Sequence, residues 1–176
     1  MANTPEASGI LIAVGRDRLG LANAVAAFVH TCDCTVDDAD MQTFCAYFSI
    51  ILKFCGTNYA TQKVRNDAKI WGDNHGLDIK VYDDLPEYTP PPDALLYELR
   101  VDAIERMGII DELTRILHKH NVNIRELTSG IEEMPLSGDL RYVLRAILQV
   151  PAQSLASIRE ALDTLELDYT MPRHLP

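Results

Sequence analysis

The sequence contains no uninterrupted apolar run near the roughly 18 residues that would suggest a membrane span, so no membrane is expected among its partners. It also lacks a basic excess. Sixteen Lys and Arg stand against 26 Asp and Glu, a formal charge of −10, which is the reverse of the footprint that phosphate backbones demand. Direct nucleic-acid binding is therefore not expected, and the acidity itself implies solubility and self-repulsion rather than a partner. Cysteines are few: Cys32, Cys34, Cys45 and Cys55 lack the paired CxxC spacing of a zinc knuckle, so no metal site is assigned and the thiols read as reduced and largely buried. No Walker loop, GxSxG elbow or HExxH helix occurs, which argues against an enzyme. No catalytic residue and no cofactor is assigned. The first residues, Met1 to Ser8, lack the basic and apolar regions of a signal peptide, making the cytoplasm the default location.

What is present is a duplication. Three consecutive prolines, Pro90-Pro91-Pro92, sit in the stretch 85–93 near the middle of the chain and read as a semi-rigid extended connector. Shifting the sequence by 88 positions places Asp17-Arg18-Leu19-Gly20 on Glu105-Arg106-Met107-Gly108. Leu21, Val25, Phe28 and Val29 then fall on Ile109, Leu113, Ile116 and Leu117, both sets having the spacing of one helix face.

Each half gives the same order of elements. In the first, strands are expected at Ile10 to Val14, Thr35 to Thr43, Cys45 to Phe54 and Leu77 to Val81, with helices from Gly20 to Thr31 and Asn58 to Gly72. In the second, Leu95 to Val101, Asn123 to Ile131, Arg141 to Val150 and Leu167 to Met171 read as strands. Helices fall at Ile109 to His120 and along the stripe Leu155, Ile158, Leu162, Leu165. A longer hairpin containing Met134 to Asp139 breaks the symmetry. Strand–helix–strand twice over is the split βαβ signature. The expected class is α+β: two ferredoxin-like βαββαβ sandwiches with antiparallel four-stranded sheets, over residues 9–84 and 94–172, joined by the linker 85–93.

The turn from first strand to first helix is the best candidate site. Gly20 and Gly108 stand where the chain turns sharply, and the helical N–H groups that follow lack intrahelical acceptors, so they attract a carboxylate. Arg16, Arg18 and Arg106 stand beside these turns, while Asp17 and Glu105 suit an ammonium group. The combination fits a free amino acid, although a glycine needed only for turning among solvated charges accounts for the same residues. His30 and His118 occupy equivalent helix ends, where the dipole favours them. Asp37, Asp38 and Asp40 read as a solvated strand edge.

The Asp17-Arg18-Leu19-Gly20-Leu21 turn, its helix and the six-element order resemble an ACT domain. The tandem arrangement is similar to the glycine cleavage system transcriptional repressor family, as are Pro92-Asp93 leading into Tyr97-Glu98-Leu99-Arg100-Val101 and the stretch Glu133-Met134-Pro135-Leu136-Ser137-Gly138. The resemblance implies a regulatory protein that binds a small amino acid such as glycine and modulates a protein partner, in that family a DNA-binding regulator. It also admits a homodimer. The ligand residues it carries over are Asp17, Arg18, Leu19, Gly20 and Leu21, with Glu105, Arg106, Met107, Gly108 and Ile109 as the second set. That second turn differs in having Met107 before its glycine and an extra residue ahead of it. A scaffold that keeps the fold without a ligand remains the alternative, and a small ferredoxin-like enzyme a more distant one.

Overall fold

A computed structural model describes residues 7–83, 89, 93–104, 107–133, 140–165 and 167–173. The chain divides into two compact units, Met1–Glu87 and Tyr88–Pro176. The connector expected at 85–93 lies outside the described residues except for Thr89 and Asp93, and so does the hairpin segment 134–139.

The first unit runs β1 (Ala7–Arg16), α1 (Leu21–Thr31), β2 (Thr35–Phe44), β3 (Tyr47–Gly56), α2 (Asn58–His75) and β4 (Leu77–Tyr82). The second runs β5 (Ala94–Ile104), α3 (Ile109–Lys119), β6 (Asn123–Glu133), β7 (Leu140–Pro151), a 3-10 turn (Ala152–Ser154), α4 (Leu155–Asp163) and β8 (Asp168–Thr170). The sheets have orders β2-β3-β1-β4 and β6-β7-β5-β8, all neighbours antiparallel. This is the ferredoxin-like topology expected from the repeat.

Alternation along the central strands shows which sheet face each unit buries. In β1, Leu11 and Ala13 are fully buried, and they pair with Leu52 and Ile50 of β3. These residues meet Leu21, Val25, Phe28 and Val29 of α1 and Ala60, Val64 and Ala68 of α2 in one core. The second core repeats the design with Leu99, Val101, Leu144, Ala146 and Leu148 on the sheet, covered by Ile109, Leu113 and Leu117 of α3 and Ile158 and Leu162 of α4. The helical stripe anticipated from spacing is thus the stripe that packs, Ile116 being half-buried.

Two irregularities also repeat. The β2–β3 register slips between Val36 and Asp38, and the β6–β7 register slips between Ile124 and Glu126. Each slip is a bulge in which one residue drops out of the ladder and those beyond it change face.

Helix α2 corrects the expected end at Gly72. It continues to His75 and is terminated by Gly76, left-handed at φ 67°, the usual conformation of a glycine C-cap. Gly72 is buried inside the helix because β4 crosses closely there: a Cβ would lie 2.7 Å from the carbonyl oxygen of Leu77. By contrast, α4 has nine residues against the 18 of α2.

Candidate functional site

The glycine turns have the same backbone. Gly20 adopts φ 90°, ψ 2° and Gly108 φ 90°, ψ 0°, left-handed values that a side chain tolerates poorly. Each glycine carbonyl accepts the first helical bond, from Ala24 N–H and Glu112 N–H respectively, at 2.9 Å in both cases. The altered residues before Gly108 therefore leave its conformation unchanged.

The two helix ends differ in electrostatics. Helix α1 begins with no side-chain cap and no acid in its first turn. Its Ala22 and Asn23 N–H groups project at the positive end of the dipole. Helix α3 also lacks a side-chain cap, but Asp111 and Glu112 occupy its first turn and supply negative charge there. Of the two ends, α1 is the better acceptor of an external carboxylate.

The residues proposed around Gly20 have separate duties. Leu21 is buried at 2 % exposure, so only its backbone faces the turn, whereas Leu19 is fully exposed. Asp17 is anchored to the β2–β3 hairpin, its N–H donating to Ala46 O at 2.9 Å and its carboxylate accepting from Thr43 Oγ1 at 3.5 Å. Arg18 donates from Nη2 to the carbonyl of His75 at 3.1 Å. Its cation thereby sits at the negative end of α2. His75 stacks on Trp71 with ring centroids 3.9 Å apart, and Trp71 stacks on Phe28 of α1 at 4.8 Å. His75 Nδ1 also lies 2.7 Å from the Trp71 carbonyl. The Gly20 turn is therefore coupled by one hydrogen bond to a column of three rings that joins both helices.

Sequence reasoning missed His75, Thr43 and Ala46 at this turn. Gly76 follows His75 in the sequence but is not distinguishable there from Gly72 as the helix end; the hairpin contacts depend on sheet pairing and left no local sign. In the second turn, Glu105 and Arg106 lie outside the described residues. Met107 is as exposed as its counterpart Leu19, and Ile109 is buried like Leu21.

Chemistry elsewhere in the first unit is muted. Burial raises the pKa of both Cys32 and Cys34, which suppresses their reactive thiolate form. Among the described residues, no group of three or more His, Cys, Asp or Glu is placed to hold a metal ion. No described helix is long and apolar enough to cross a membrane.

Residues 10–82 match the family model of the ACT domain. The glycine cleavage system transcriptional repressor of Escherichia coli K12 is 25 % identical over 148 residues, covering 84 % of this chain and 75 % of that protein. Two solved structures share the fold over nearly the whole length. One, an unknown protein from Galdieria sulphuraria, has a TM-score of 0.79 and 19 % identity, covering 96 % of this chain and 99 % of its own. The other, a putative glycine cleavage system transcriptional repressor, has a TM-score of 0.72 and 16 % identity, covering 97 % and 98 %.

Proposed function

Taking residues 10–82 as an ACT domain, we propose that the chain is a regulatory protein that senses a small amino acid, glycine among the candidates, and passes the bound state to a protein partner. The observation that carries this reading is the Gly20 turn, a left-handed glycine opening a helix with neither side-chain cap nor first-turn acid. A ligand carboxylate accepts from the N–H groups of Ala22 and Asn23, aided by the dipole. Asp17 receives the ammonium group. Arg18 is already committed to the His75 carbonyl, so it positions the turn against α2 rather than binding first. The Gly108 turn is the second, weaker site because Asp111 and Glu112 already serve its helix.

The matched repressor supports regulation of transcription through a partner, and the charge of −10 supports a DNA-binding protein, not DNA itself, as what is touched. The setting is cytoplasmic, assembly as a homodimer is allowed, and no catalytic step or cofactor is invoked. Coupling between ligand and partner of about 1–3 kcal/mol is the usual range.

A thermal-shift screen against the twenty amino acids tests the reading. A ligand at 100 times its dissociation constant adds about 2.7 kcal/mol, and Asp17→Asn abolishes that gain while leaving the unliganded melting temperature nearly unchanged. Absence of any shift at millimolar amino acid overturns sensing. A ligand-free scaffold is supported by the exposed apolar residue at the tip of each turn, Leu19 in the first unit and Met107 in the second. Under that reading partner capture is insensitive to every amino acid and is lost in Leu19→Ser.

A further inference from the structure

The sheet faces turned away from the helices are not alike in the two units. In the first, Ile12, Ile51 and Tyr47 are among the residues on that face. In the second, the register places a single transverse row across all four strands: Thr128 of β6 opposite Arg145 of β7, Arg145 opposite Arg100 of β5, and Arg100 opposite Thr170 of β8. All four side chains are exposed. Directly opposed residues on neighbouring antiparallel strands have Cβ atoms about 4.5–5.5 Å apart, and like charges in that position repel. Neither guanidinium has an ion pair or hydrogen bond among the described residues, and neither threonine hydroxyl has one.

The neighbouring arginine shows what an occupied guanidinium on this face looks like. Arg141 pairs with Asp102 through Nε and with Asp168 through Nη2, the latter at 3.3 Å. Those acids lie in the next row, Gly130–Val143–Asp102–Asp168. Val143 lines two adjoining cavities, one of about 350 Å³ reaching from Arg100 and Thr170 to Asp102 and Asp168, the other of about 200 Å³ reaching from Arg145 and Thr128 to Glu132. Gly130 leaves the second cavity open, since a Cβ there would meet nothing within 4 Å. On the far side, Glu126 and Glu98 flank Ile147 in the row beyond the arginines.

From this juxtaposition we propose that the row Thr128–Arg145–Arg100–Thr170 is a binding site for the phosphoryl group of a small molecule. The two guanidinium forks stand on neighbouring strands, each with one threonine on its outer side, and the forks alone offer more donors than a single carboxylate has lone pairs to accept. A phosphoryl dianion supplies both the acceptor oxygens and the charge that relieves the arginine pair. The acidic rows on either side set the size of the ligand. They repel an extended polyanion such as nucleic acid or an anionic membrane, while a compact group between the arginines stays within the basic row.

The test uses inorganic phosphate as probe on the full chain, at constant ionic strength held with sodium chloride. Isothermal titration and thermal shift should both show saturable binding. Arg100→Gln and Arg145→Gln should each weaken it at least about tenfold, the loss expected for a hydrogen bond to a charged group. Arg115→Gln, on the exposed face of α3, should leave it unchanged. Because each variant removes a like-charge contact, both should melt no lower than the parent in phosphate-free buffer, which separates lost binding from lost folding. Equal weakening by Arg115→Gln, or no response beyond that of chloride, overturns the site. Phosphate carries no amine, so failure here is distinct from failure of amino-acid sensing. Capture by vesicles containing an anionic phospholipid would overturn the small-molecule assignment.

Discussion

Asp37 is the residue that the first bulge drops from the ladder, and that displacement gives it a chemical role. Cys55 Sγ donates to Asp37 Oδ1 at 2.8 Å, and Lys53 Nζ lies 3.5 Å from Oδ2. The hydrogen bond from Cys55, followed by Lys53, holds the Asp37 carboxyl below its ordinary 3.8. The same bond raises the Cys55 thiol above its ordinary 9.0. Replacing Asp37 by Asn removes the charged acceptor, so Cys55 should ionise more readily and be alkylated several-fold faster at pH 8.5, as read by mass spectrometry. An unchanged rate would mean the bond does not form in solution. On the acid side the sign is fixed: a depressed carboxyl stabilises the fold above pH 3.8 and loses that contribution as pH falls through the lower folded value. Asp37 is well exposed, so the contribution is small. None of this was visible in the sequence, where Asp37, Asp38 and Asp40 looked like one acidic edge. The three do lie exposed on an edge strand, with Asp38 opposite Lys53 and Asp40 opposite Ile51 on one face; what the bulge adds is Asp37 turned to Cys55 and Lys53.

Among the elements, α2 shows how one residue type serves two physical purposes within five positions. Gly76 is there for its left-handed φ, and Gly72 for the approach of Leu77 O. Gly72→Ala should therefore destabilise the protein by about 1–3 kcal/mol through overpacking, although alanine is the better helix former by about 1 kcal/mol. Urea denaturation measures the difference, and a stabilised variant would refute the close approach. This case also marks the limit of local reading. The stripes on α1 and α3 were legible because a period of 3.6 is written into the residues that pack. The end of α2 was not, since a glycine inside a helix and one beyond it look alike until the crossing strand is known. Strand ends were set by partners in the same way: β5 runs to Ile104, three residues past its expected end, because β7 pairs with it as far as Arg141. Among the candidate site residues, the glycine turns were legible from their conformation-demanding residue. Arg18's partner, 57 positions away, and the Arg100–Arg145 juxtaposition could be found only once the crossover topology fixed the register.

At the scale of the whole chain, the described residues form two core clusters, one in each unit. Among them, no residue of the first cluster lies beyond Val81 and none of the second before Leu95. Leu52→Ala and Leu144→Ala, each at a site 1 % exposed or less, should cost about 2–5 kcal/mol. Hydrogen exchange should show the loss in the strands of the altered unit while the other unit keeps its protection. Equal loss in both would refute self-contained cores. The two bulges bear on a different question. They fall at positions that the repeat makes equivalent, Val36–Asp38 and Ile124–Glu126, although the flanking residues have diverged. An irregularity of this kind is a feature rather than an accident of a strand, and two at the same register are most simply copies of one. The bulge then predates the doubling of the ancestral gene. The outer-face pair Ile12–Ile51 of the first unit against Arg100–Arg145 of the second, by the same reasoning, records how the two descendants parted afterwards.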